Sequence, residues 1–112
     1  MTGAGGLFAA INASGLIENA TVTLIGSSIT ETGANALNQI AYGCSGPVTL
    51  TIKPQTTATL TGSVASGALI KLNGADNVII DGSNSGSTDR SLTITNNATT
   101  APTGIWLSST GA

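Results

Sequence analysis

A two-residue alternation that returns at a fixed interval is the strongest constraint on how this chain can fold. In VIID, Val78 and Ile80 fall two apart, so both point to one face of an extended strand while Asn77, Ile79 and Asp81 point to the other. Leu50 and Ile52 in VTLTI stand 28 residues before that pair, and Val22 and Leu24 in TVTLI stand another 28 before those. An internal repeat of this length marks a stacked, quasi-one-dimensional architecture, because one unit cannot bury its own apolar face and needs neighbours above and below.

Three strands are predicted in each repeat. TVTLI is followed by SITET (28–32) and ALNQI (36–40), and VTLTI by TATLT (57–61) and ALIKL (68–72). The third set is 77–81, SLTIT (91–95) and GIWLS (104–108). The stretch 68–83, ALIKLNGADNVIIDGS, joins two of these strands through the turn Asn73-Gly74-Ala75-Asp76, where Gly74 supplies a left-handed position and the Asp76 side chain can bond nearby backbone. Three strands per turn over three turns predict a coil of triangular section, with equivalent strands stacked into three parallel sheets around a dry interior.

The run NGADNVIIDGSNSG, with SLTITNN and GIWLSSTGA after it, resembles the right-handed parallel β-helix of the pectate-lyase-like superfamily, above all the β-helix segments of large secreted bacterial surface proteins. The resemblance spans essentially the whole chain. It implies an all-β fold, a right-handed single-stranded parallel β-helix of about three turns, and a secreted or cell-surface setting. Polysaccharide lyases, glycosidases, adhesins and structural stalks share this fold, so the resemblance implies no single reaction.

With 112 residues, 40% apolar and only 7% charged, the chain reads as one domain: a helical cap over 1–17 and three β-helix turns over 18–112. A net charge of -2 with three basic residues leaves no footprint for nucleic acid, and no stretch is long and apolar enough to insert in a membrane. No basic region followed by an apolar run opens the chain, so no secretory signal is read there. Leu7, Phe8 and Ile11 fall on one side of the single helical pattern, with Thr2 as the expected N-cap and Gly15 as the stop. Gly3, Gly5 and Gly6 have no strand before them and do not make a phosphate-binding loop.

Absences narrow the chemistry. Without histidine, no Ser-His or Cys-His nucleophile pair and no histidine-ligated metal site can form. Cys44 stands alone in AYGCSGP and reads as a small buried residue. Asp81 is expected to stack on Lys53, with Ile25 below, as a cross-strand charge pair, and Asp89 with Arg90 reads as a solvated loop pair. Resemblance to the lyases implies calcium-binding acids beside a basic residue, for which Asp81, Asp89 and either Arg90 or Lys53 are the nearest equivalents. These carboxylates are too few and scattered for a calcium shell of six or more oxygens. No catalytic residue, cofactor or metal is therefore assigned.

In GIWLS, Ile105 and Leu107 take inward positions and send Trp106 outward, where an aromatic ring suits either a sugar face or a packed interface. The sequence stops at Thr110-Gly111-Ala112 with no second cap, so the end of the coil formed by Ile105, Trp106 and Leu107 is expected to be covered by a continuing solenoid or by another copy. Thr21 and Thr23 are expected below Thr49 and Thr51 as a T-x-T ladder, with Ser91, Thr93 and Thr95 on a second face. Asn12, Asn19 and Asn97 lie in glycosylation sequons. The function read from these features is a non-catalytic structural or adhesive segment that self-associates through its open end. A carbohydrate-binding or lyase- and glycosidase-related module, with polysaccharide as partner, is the alternative, and an ice-binding solenoid a remote one.

Overall fold

The computed structural model describes residues 1–109 and shows nine strands and one helix in the order the repeat dictates. Helix α1 (Leu7–Ser14) precedes β1 (Ala20–Leu24), β2 (Ser28–Thr30) and β3 (Leu37–Asn38). A second pass gives β4 (Leu50–Pro54), β5 (Ala58–Gly62) and β6 (Ala68–Asn73), and a third gives β7 (Val78–Ile80), β8 (Leu92–Asn96) and β9 (Thr103–Ser108). They form three parallel three-stranded sheets, β1-β4-β7, β2-β5-β8 and β3-β6-β9. This all-β arrangement is compatible with a β-solenoid. Inward residues of successive passes stack into the core: Leu50, Ile52, Leu60, Ile70 and Leu72 from the middle pass, with Val22, Ile29, Ile80 and Ile94 packed against them.

Between the second and third passes the sheet register is the expected one, Leu50 opposite Val78 and Ile52 opposite Ile80. Between the first and second it is two residues longer, with Val22 opposite Ile52 and Leu24 opposite Pro54. A two-residue shift keeps every side chain on its own face, so alternation alone cannot distinguish the two pairings. The longer one sets buried Leu24 beside buried Pro54. Lys53 consequently lies beside Thr23 and not Ile25, and Thr21 beside Thr51 and not Thr49.

The helix is shorter than expected. Gly3, Gly5 and Gly6 make the first turn costly to nucleate, Gly5 takes a positive φ, and the helix begins after Gly6 with no side-chain cap. Gly15 does end it, at φ 69°, donating its N–H to the Ile11 carbonyl. Thr2 caps nothing. It is fully buried, donating its backbone N–H (2.6 Å) and hydroxyl (2.7 Å) to the Glu31 carboxylate and accepting from the Gly33 N–H.

α1 packs on the β3 side of the first pass. Phe8 and Ile11 join the core, while the Asn12 side chain stands in for a neighbouring strand on β3 by donating to the Ala36 carbonyl (2.8 Å) and accepting from the Asn38 N–H (2.9 Å). Asn19 accepts from the Thr49 N–H at the start of the second pass. Open edge groups are thereby satisfied on the β3 side, while β1 and β2 have no strand on their outer sides among the described residues.

Candidate functional site

Two places gather the residues singled out in the sequence: the corner between β7 and β8, and the outer edge of the third pass. At the corner, an open cleft of about 350 Å³ is lined by Asp81, Gly82, Ser83, Asp89, Arg90 and Leu92 among others. Asp81 extends the β7 ladder through its N–H to the Ile52 carbonyl, and its side chain accepts from the Ser83 N–H at 2.8 Å as the chain turns away. Lys53 belongs to the adjacent strand but forms no ion pair with Asp81. Among the described residues the only ion pair joins the Met1 ammonium to Glu31. The expected charge pair is absent because the Asx turn takes the Asp81 carboxylate back onto its own backbone.

Asp89 is the organiser of this corner. One carboxylate oxygen accepts from the Ser83 and Ser85 hydroxyls, and the other from the Ser91 hydroxyl and the Asn84 N–H. The bonds from Ser85, Ser91, Ser83 and then Asn84 hold its pKa well below the ordinary carboxylate value. A carboxyl so stabilised as the anion neither donates a proton at neutral pH nor makes a strong base. Arg90 is exposed and forms no ion pair with Asp89. We predict that Asp89→Ala will leave the sheets intact but speed amide hydrogen exchange at Asn84 and Ser87, whose N–H groups bond Asp89 and Ser83 respectively. Unchanged exchange at both positions would show that the serines hold the corner without the carboxylate.

At the third-pass edge, Ile105 and Leu107 continue the inward columns of Ile70 and Leu72, and Trp106 continues the outward position of Lys71. The partners below are buried, Ile70 at 0% and Leu72 at 9%, whereas Ile105 is 40%, Trp106 51% and Leu107 71% exposed. No further strand pairs with the outer edges of β7, β8 or β9 among the described residues. Thr110 to Ala112, with which the expected open end finishes, lie outside the described residues.

The hydroxyl ladder runs on the second of the two faces expected, the one that carries Thr93 and Thr95. Ser28, Thr59 and Thr93 align across β2, β5 and β8, as do Thr30, Thr61 and Thr95, whereas the β1 ladder meets Lys53 on the second pass. Cys44 is exposed and not buried, because Gly43 to Gly46 form a turn that stands away from the core. Tyr42, not singled out in the sequence, lines a small cavity of about 110 Å³ with Gln39, Asp76 and Asn77. The chief omissions of sequence reasoning were the asparagines. All three sequon side chains are engaged, Asn97 with the Thr61 hydroxyl, and Asn96 bonds Val64, Gly67, Ala98 and Thr103 at the corner between β8 and β9. Asn96, at the end of the alternating run SLTITN where backbone direction changes, carries the sequence signal for this role.

No family model, curated protein or solved structure matches the chain.

Proposed function

We propose that this chain is a non-catalytic structural or adhesive segment of a secreted or surface protein, built as a right-handed parallel β-helix of the pectate-lyase-like kind and associating through its third-pass edge. The observation that carries the reading is the third-pass edge, where Ile105 and Leu107 extend the core columns and, with Trp106 on the outward face between them, remain exposed. An unpaired, uncharged strand edge with an exposed apolar column is a template for further β-structure. Acid-base chemistry on polysaccharide has weaker support, since the Asp89 carboxylate is fully occupied by its own loop.

Light scattering coupled to size-exclusion chromatography over a concentration series tests the proposal. The chain is expected to associate as concentration rises, and Leu107→Lys, which puts a charge on a side chain already 71% exposed, is expected to abolish this without unfolding the monomer. A monomer at every concentration would refute association through this edge.

A further inference from the structure

We propose that the small cavity between the loop after β3 and the turn before β7 binds an alkylammonium group, such as the end of a polyamine or of a lysine side chain. The site is independent of association through the third-pass edge. Its cavity, about 110 Å³, is lined by Gln39, Tyr42, Asp76 and Asn77 beside the apolar wall of Pro47 and Val48. Backbone ladders hold both sides. Leu16 bridges to Tyr42 and donates its N–H to the Ala41 carbonyl, and the Asn77 carbonyl accepts from the Leu50 N–H.

The polar groups of this cavity are unspent, unlike those elsewhere in the chain. The Asp81 and Asp89 carboxylates and the Asn96 amide are all bonded within their own corners. Asp76, although it stands in a turn, does not bond the nearby backbone: among the described residues its carboxylate accepts no hydrogen bond and forms no ion pair. The side chains of Gln39, Tyr42 and Asn77 have no partner among the described residues either. No lysine or arginine lines the cavity, so its single negative charge favours a positive occupant.

Size and donor set choose the cation. At about 30 Å³ for each water-sized group, the space takes about three to four heavy atoms. The tip of an alkylammonium chain fits, and a sugar ring does not. One carboxylate with neutral oxygens falls short of a calcium shell of six or more, and no group of three metal-ligating acidic, histidine or cysteine side chains occurs among the described residues. Tyr42, 53% exposed, offers a ring face that attracts an ammonium, while Pro47 and Val48 suit the carbons behind it. The ammonium N–H donors match the Asp76 carboxylate and the amide oxygens of Gln39 and Asn77.

On the other side of Pro47 and Val48, a more open cleft of about 290 Å³ is lined by Glu18. Glu18 and Asp76 stand two residues ahead of Ala20 and Val78, which are paired through Leu50. Two strand spacings, roughly 10 Å, therefore separate their backbones along the stack. A polyamine can present one ammonium to each carboxylate.

Amide chemical-shift titration of the isotope-labelled chain tests the site, with n-butylammonium chloride as the probe and n-butanol and potassium chloride as controls. Butylammonium is expected to move the amides of Tyr42, Asp76 and Asn77 and to saturate with a Kd in the millimolar range, while both controls leave them in place. Asp76→Asn, which keeps the shape and removes the charge, is expected to weaken binding about fivefold, and Tyr42→Leu about threefold, with the amides of the core strands unmoved. Spermidine and N-acetyl-lysine methylamide separate the two sources. Tighter binding of spermidine that Glu18→Gln returns to the butylammonium level marks a polyamine site, and equal binding of the lysine derivative marks a protein lysine. Equal shifts from butanol, no saturable shift with butylammonium, or native affinity in Asp76→Asn would each overturn the proposal.

Discussion

Leu60→Ala is expected to cost about 2–5 kcal/mol, the range for truncating a buried leucine. Leu60 is fully buried at the middle of the central strand β5, in register with Ile29 on one side and Ile94 on the other. All three are hydrogen-bonded into one sheet, so the backbone cannot collapse into the space left by the missing carbons. Against a total stability of about 5–15 kcal/mol for a domain of this size, the loss removes a large share and lowers the melting temperature by roughly 10 °C or more. Thr93→Ala, on the outward face of β8, is the matched control and should stay within about 0.5 kcal/mol. Denaturant titration of the three chains measures both. A Leu60→Ala loss no larger than the control's would mean that the sheets, and not their inward columns, hold the stack together.

Loss of the Glu31 carboxylate should be nearly as damaging. Glu31 is buried, and its oxygens accept from the Met1 ammonium (2.8 Å), the Thr2 N–H and the Thr2 hydroxyl, tying the segment before α1 to the corner after β2. Glu31→Ala leaves those donors buried without an acceptor, at a cost of about 3–5 kcal/mol. Glu31→Gln keeps an acceptor oxygen and should recover part of the loss. Burial alone would push the pKa of this carboxyl up, but the ammonium and the Thr2 N–H and hydroxyl outweigh it and hold the pKa below the ordinary value. A carboxylate depressed in the folded state contributes its stability above its unfolded pKa, about 4.3, and loses it as pH falls through the folded value. Denaturation curves from neutral pH down through the carboxylate range should therefore show an acid loss in the native chain that Glu31→Gln lacks. Parallel curves for the two chains would remove Glu31 from the acid response.

Most of the strands could be read from the sequence because they place apolar residues two apart, a pattern that depends on local geometry alone, whereas SITET and ALNQI could be placed only by their position in the repeat. Register could be read only where the corner lengths were right. Val22 faces Ile52 and not Leu50, and alternation cannot register a shift of two; the information lies in Leu24 meeting buried Pro54, a contact between passes. The helix start was misread because Thr2 looks like a cap locally, whereas its hydroxyl is committed to Glu31, 29 residues away in sequence. Trp106 was placed outward correctly because Ile105 and Leu107 flank it within one strand. Asp81 was assigned to Lys53 across strands, but its nearest donor is two residues along the chain. Long-range polar partners of this kind leave no periodic trace.

The Asp89 ring at the β7–β8 corner has a consequence for how such a chain can vary. Ser83, Asn84, Ser85 and Ser91 are fastened to one carboxylate, so both feet of the loop are fixed without help from its tip, where Gly86 has open space around it. Lengthening a loop whose feet are held costs little, about 0.6 kcal/mol for each doubling of its span. The tip is thus mechanically insulated from the sheets. Sequence there can drift, or foreign peptide can be spliced in, while the columns of the core stay under separate and much stricter selection.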